Sequence, residues 1–145
     1  DLPRSLQRMV ILENDDTSFN VEDTLYLCEK IDIPLVFDLH HHEANIGKQP
    51  WQENWERIIQ TWKNSNLPIK MHISSPRSEK EYKAHADYID STMFLEFLQY
   101  IKGSVDEINC MIEAKQKDDT LFRLVEEMGA KEGIGKLGQS SFLLL

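Results

Sequence analysis

The residues in this chain best placed to do chemistry are Glu13, Asp38, His41, His72, His85 and Glu113, three carboxylates and three imidazoles spread over a hundred positions. The densest part of the set is Phe37-Asp38-Leu39-His40-His41-His42, which ends the apolar run Ile33-Pro34-Leu35-Val36-Phe37. An apolar strand that finishes abruptly in an aspartate and three histidines is costly if packing is its only purpose. Each buried polar group left unpaired costs about 1–3 kcal/mol. Carboxylate and imidazole ligands in equal number suit zinc, manganese or iron, and a shared carboxylate can bridge two ions. Closely spaced metals of that kind activate water and stabilise both oxygens of a phosphodiester displacement. A single Glu or Asp at a strand end is ordinarily a helix cap or a solvated group, and a single His is ordinarily a surface or hydrogen-bonded core residue. The set as a whole points to chemistry; no member does so alone.

The elements that must position these residues alternate. Arg8–Asp15 is a short continuous apolar run closing in an acidic cluster, which suits a strand buried on both faces. Asn20 reads as the N-cap of a helix through Leu25, Cys28 and Lys30, with Asp23 in place of the capping-box Glu. Ile33–Phe37 is the second strand, and residues 43–50 read as a loop from Asn45, Gly47 and Pro50. Trp51, Trp55, Ile58, Ile59 and Trp62 then recur at helical spacing and mark a core-facing stripe. Residues 69–75 form the third strand, with Lys70, His72 and Ser74 on one face. A helix through Phe94, Phe97, Leu98 and Ile101 ends at Gly103. Residues 108–113 are the fourth strand, again ending in a carboxylate. A last helix carries Leu121, Leu124, Val125 and Met128, and residues 130–145 have no clear period.

Four β-α units in succession imply a parallel sheet with right-handed crossovers. Glu13, Asp38 with His41, His72 and Glu113 lie at or near the C-terminal ends of different strands, where (β/α)₈ TIM-barrel enzymes gather their sites. A doubly wound sheet more often carries a glycine-rich turn after its first strand, and none follows here. A whole barrel takes about 250 residues, so the 145 residues read as its C-terminal half, with residues 1–129 the half-barrel and 130–145 an unassigned tail. An N-terminal half would be missing, and the exposed edges of the remainder would favour self-association.

Composition sets further bounds. A formal net charge of −9 argues at face value against nucleic acid and membrane surfaces. Bound dications reverse the local field, so the sign does not decide the partner. No stretch is apolar enough for a membrane helix. The chain opens Asp1-Leu2-Pro3-Arg4 with no signal-peptide pattern, which leads us to expect the cytoplasm, and without Met, as a processed or truncated chain would. Cys28 and Cys110 read as buried thiols and not as a disulfide framework.

Leu12-Glu13-Asn14-Asp15-Asp16, Thr24-Leu25-Tyr26-Leu27-Cys28 and Asp38-Leu39-His40-His41-His42 resemble the UV damage endonucleases. So do Lys70-Met71-His72-Ile73-Ser74-Ser75-Pro76, His85-Ala86-Asp87-Tyr88 and Met111 to Asp118, in the family's order from about residue 8 to 128. The Leu-Glu-Asn and Asp-x-x-His pair is more distantly similar to endonuclease IV. The resemblance implies a barrel enzyme that nicks damaged double-stranded DNA on the 5′ side of ultraviolet photoproducts, leaving a 3′-hydroxyl. It implies that Glu13, Asp38, His41, His72, His85 and Glu113 ligate up to three divalent metals, manganese among them, with zinc or magnesium as alternatives. Glu13, Lys70 and Glu113 are then the catalytic residues. Lys70 would be carboxylated as an extra acidic group, or, unmodified, would bind a phosphate oxygen. Arg77, Lys80, Lys115 and Lys117, in loops beyond strand ends, are candidate phosphate contacts. A metal-dependent sugar isomerase or epimerase on a related barrel, and a non-catalytic metal-binding half-barrel, are the competing readings.

Overall fold

Helix formation follows the caps and apolar stripes read above. A computed structural model describes residues 3–145. Its elements are α1 (Arg4–Gln7), β1 (Leu12–Glu13), α2 (Val21–Ile31), β2 (Leu35–Asp38), α3 (Leu39–Ala44), α4 (Trp51–Thr61), β3 (Ile69–Ile73), α5 (Ser91–Ile101), β4 (Ile108–Ile112), α6 (Asp118–Gly129), β5 (Ile134–Lys136) and β6 (Phe142–Leu144). They fall into two units. One holds residues up to Ile73 together with Glu107–Met111, and the other holds Ser74–Asp106 and Ile112–Leu145.

In the first unit four strands form one sheet in the order β1-β2-β3-β4. β1 runs parallel to β2 (Leu12 opposite Leu35, Glu13 opposite Val36), and β2 runs parallel to β3 (Phe37 opposite Met71, Asp38 opposite His72). Strand order thus follows chain order without the reversal that marks a doubly wound sheet. Leu35, Val36, Phe37 and Asp38 are all buried, as a central strand covered on both faces requires. The outer strands differ. Met9 and Ile11, in the apolar run before β1, are exposed, as is Met111 of β4. The expectation of burial on both faces fails for the Arg8–Asp15 run, because β1 lies at the edge of the sheet and spans only two residues.

Two helices clamp the central strand. Asn20 caps α2 through its side-chain oxygen, which accepts from the amides of Glu22 (2.9 Å) and Asp23 (3.1 Å). Asp32 closes the helix in the left-handed region, and Val21, Thr24, Leu25 and Cys28 face inward. α4 buries Trp51, Asn54, Trp55 and Ile58, with Trp62 just beyond its end. The Trp62 indole N–H donates to the Leu35 carbonyl (2.6 Å), and the Leu35 amide donates to the Thr61 hydroxyl (3.0 Å). The rings of Trp51 and Trp55 pack about Phe37 at 5.6 and 6.2 Å. This aromatic cluster holds Phe37, the residue before Asp38, near the end of β2.

The second unit is built on α5, α6 and a terminal hairpin. Asp90 caps α5 by accepting from Thr92 and Met93, and Gly103 follows that helix with φ of 81°. The buried hydroxyl of Thr120 on α6 donates to the Asp87 carbonyl (3.0 Å). β5 and β6 pair antiparallel, Gly135 opposite Leu143, and Phe142 packs edge-on against Phe94 of α5. The tail without a sequence period is therefore an ordered hairpin.

Candidate metal centre

The site in the first unit begins with Asp38, the last residue of β2. Asp38 is both a strand end and a helix N-cap. Its Oδ1 accepts from the amide of His41 (2.7 Å) and starts α3. The three histidines, read from the sequence as the end of a strand, thus lie on a short helix that runs on through Glu43 and Ala44, the first residues of the stretch read as a loop. Helical spacing separates their roles. His40 and His42 turn into the core, while His41, three residues after the cap, stays half-buried beside Asp38.

Glu13, at the end of β1, lies between two imidazoles. Its Oε1 is 3.2 Å from His41 Nδ1 and its Oε2 is 3.1 Å from His72 Nδ1. His41 Nδ1 is also 3.8 Å from Asp38 Oδ2 and donates to the Asn14 carbonyl (3.0 Å). His72 stands opposite Asp38 across the β2–β3 ladder. Glu13, Asp38, His41 and His72 are therefore gathered at one end of three adjacent strands, as their spacing leads one to expect. Glu13, Asp38 and His41 each offer a donor atom, and these atoms lie within 4.8 Å of one another.

The electrostatics match that geometry. Burial pushes the Glu13 carboxyl up, but hydrogen bonds from His41 and His72 outweigh it and bring the pKa down to about 2. The hydrogen bond from Glu13 raises His41 to about 9 against the effect of burial, with Asp38 and the Asn14 carbonyl adding to the rise. A carboxylate shared by two imidazoles, one of them holding a proton only in the absence of a stronger cation, is a donor set that fits a divalent metal. These residues would hold such an ion. Lys70 lies two residues before His72 on the same, partly exposed face of β3.

In the second unit the chain folds back on itself after Ser75. Pro76 bridges to His85, the Arg77 amide donates to the Ala84 carbonyl (2.7 Å), and the Ala86 amide donates to the Ser75 carbonyl (2.8 Å). His85 is thereby set 3.9 Å from Glu113. Arg77 and Lys80 are on the exposed part of this excursion, and Arg77 pairs with Glu81 at 3.0 Å. Lys115 and Lys117 are exposed in the segment before α6, where Lys117 takes a φ of 52°. The cysteines play no part in this chemistry. Cys28 is buried as expected, while Cys110, read from the sequence as buried, is only half-buried on β4. Both are raised, Cys28 to about 11 by burial, so both remain thiols.

Comparison with known proteins agrees with the motif reading. The family model described as UV-endonuclease UvdE matches residues 1–142. The UV DNA damage endonuclease of Bacillus cereus (strain G9842) is 46% identical over 136 residues, covering 94% of this chain and 43% of that protein. The UV DNA damage endonuclease of Halalkalibacterium halodurans is 43% identical over 141 residues, covering 97% and 44%. The chain thus spans less than half the length of these curated relatives. The crystal structure of SacUVDE superposes with a TM-score of 0.69 at 28% identity, over 82% of this chain and 39% of that one.

Proposed function

Because this chain belongs to the UV-endonuclease UvdE family, we propose that it is the C-terminal half of a (β/α)₈ barrel. The complete barrel would nick double-stranded DNA 5′ to ultraviolet photoproducts by metal-assisted phosphodiester hydrolysis. The observation that carries this reading is the Glu13 carboxylate held between His41 and His72 beside Asp38. Glu13, Asp38, His41, His72, His85 and Glu113 are the proposed ligands, for manganese first and zinc or magnesium as alternatives. When bound, divalent metal would polarise the scissile phosphate, lower the pKa of a water and neutralise the leaving 3′-oxygen.

The protein's own residues do the rest. Glu13 directs one oxygen toward His41 and the other toward His72, and with them would hold the metal. Asp38 orients His41 by capping the helix that carries it. Lys70 acts beside His72 as a carboxylated acidic group or, unmodified, as a phosphate contact; gentle intact-mass analysis separates these by the mass of one carbon dioxide. Arg77, Lys80, Lys115 and Lys117 are the proposed contacts to the DNA backbone. The DNA substrate is the reason for proposing the cytoplasm as the site of action.

The test is a chimera in which this chain replaces the matching segment of the Bacillus cereus relative, assayed on a duplex with one photoproduct. The reading predicts a metal-dependent nick on the 5′ side that Glu13→Gln abolishes. A folded chimera that binds manganese and leaves the duplex intact would overturn it in favour of a non-catalytic metal-binding segment.

A further inference from the structure

Asn14, next to Glu13 in the chain, is a polar residue with no exposed surface. Its side-chain Nδ2–H donates to the Asp38 carbonyl (2.9 Å) and its Oδ1 accepts from the Asp38 amide (2.9 Å). One side-chain amide therefore satisfies both backbone groups of a residue 24 positions away. Its own backbone carbonyl accepts from His41 Nδ1 (3.0 Å).

The reason for this arrangement lies in the ladder. The β1–β2 pairing ends with Glu13 opposite Val36, yet β2 runs on to Asp38, where it still pairs with His72. In a parallel ladder Asp38 presents its N–H and C=O to the β1 side. The chain at Asn14 is already leaving the strand, since Asp15 closes a tight loop by accepting from the amides of Thr17, Ser18 and Phe19. The Asn14 amide takes the place of the absent peptide group. It extends the ladder by one rung while its backbone turns away.

We propose that Asn14 is the positioning residue of the metal centre, setting Asp38 and His41 in ligand geometry relative to Glu13. The consequence reaches each of the three donors. Glu13 precedes Asn14 in the chain. Asp38, held at its backbone, presents Oδ1 to the His41 amide and Oδ2 to the His41 ring. His41 is held through Nδ1 by the Asn14 carbonyl. A hydrophobic residue of equal size would leave both Asp38 backbone groups buried without partners.

This inference rests on the metal-centre reading, and its test has one readout that needs metal and one that does not. Asn14→Ala and Asn14→Asp are compared with Asn54→Ala, a control at an equally buried Asn on α4. With manganese as the probe, both Asn14 variants are expected to bind about 10–100-fold more weakly than the parent, and the control to bind as the parent does. In chelator, hydrogen exchange of the Asp38 amide should accelerate by more than tenfold in Asn14→Ala, and the ¹⁵N shifts of the His41 ring should move. In the control both should stay as in the parent. If the parent binds no manganese, the metal-centre reading fails while the Asp38 and His41 signals still decide the role of Asn14. A folded Asn14→Ala chain with unchanged Asp38 exchange and His41 shifts would overturn the inference. So would unchanged manganese affinity.

Discussion

Replacing Glu13 by Gln should destabilise the metal-free chain in a pH window set by the two groups it couples. Glu13 is drawn from 4.5 to about 2, and His41 is raised from 6.5 to about 9. The His41 displacement, at about 1.4 kcal/mol per factor of ten in proton affinity, corresponds to on the order of 3 kcal/mol. Asp38 and the Asn14 carbonyl supply part of it and remain in the variant, so the loss should be about 2 kcal/mol. At this chain length that is roughly 5 °C in Tm. The raised His41 contributes fully below its unfolded value of 6.5 and is lost as pH rises through about 9. The lowered Glu13 contributes fully above its unfolded value of 4.5 and is lost as pH falls through about 2. The Tm difference between parent and Glu13→Gln should therefore be largest between 4.5 and 6.5, and should shrink toward zero above about 9. Circular dichroism melts in chelator, at about pH 5.5, 7.5 and 9.5, read it directly. A difference that is constant across those three conditions, or absent at the lowest, would refute the coupling.

Other consequences are more local. Manganese binding near neutral pH should release a proton from His41, because a ligating imidazole nitrogen cannot keep it; calorimetry in two buffers of different ionisation enthalpy counts the proton, and no buffer dependence would contradict the assignment. Asn20→Ala should cost about 1 kcal/mol through loss of the α2 cap and leave manganese affinity unchanged, as measured by urea unfolding and by competition with a chelating dye. In the Bacillus cereus chimera, Lys115→Ala should lower the slope of log DNA affinity against log salt by about one; an unchanged slope would remove Lys115 from the interface.

The parts of this fold that could be read in the sequence are those whose signal is local. Asn20 announces α2, the tryptophan spacing announces α4, and the apolar run Ile33–Phe37 announces the second strand. Glu13 and Asp38 could be assigned to one end of the sheet because each directly follows an apolar run, and His41 and His72 because they lie at or near the ends of the second and third strands. What could not be read depends on partners far along the chain. The histidines of α3 have no apolar period to mark a helix, and the cap that starts it is itself a candidate ligand. Asn14 reads only as the polar close of the Arg8–Asp15 run until its amide is seen against Asp38. The hairpin of Ile134–Lys136 with Phe142–Leu144 hides behind three glycines, since strand propensity is low there and packing against Phe94 supplies what the local sequence lacks. The apolar run before β1 reads like a covered strand, yet Met9 and Ile11 lie at an edge, and a residue pattern carries no information about which strands are outermost.

Whether Glu13, Asp38, His41 and His72 form a metal centre is read from pulsed electron paramagnetic resonance of the manganese-loaded chain. Nitrogen couplings from imidazole ligands are expected to weaken in His41→Ala and in His72→Ala and to weaken further when both are replaced. Manganese bound with no nitrogen coupling, or couplings unchanged by both substitutions, would contradict the metal centre.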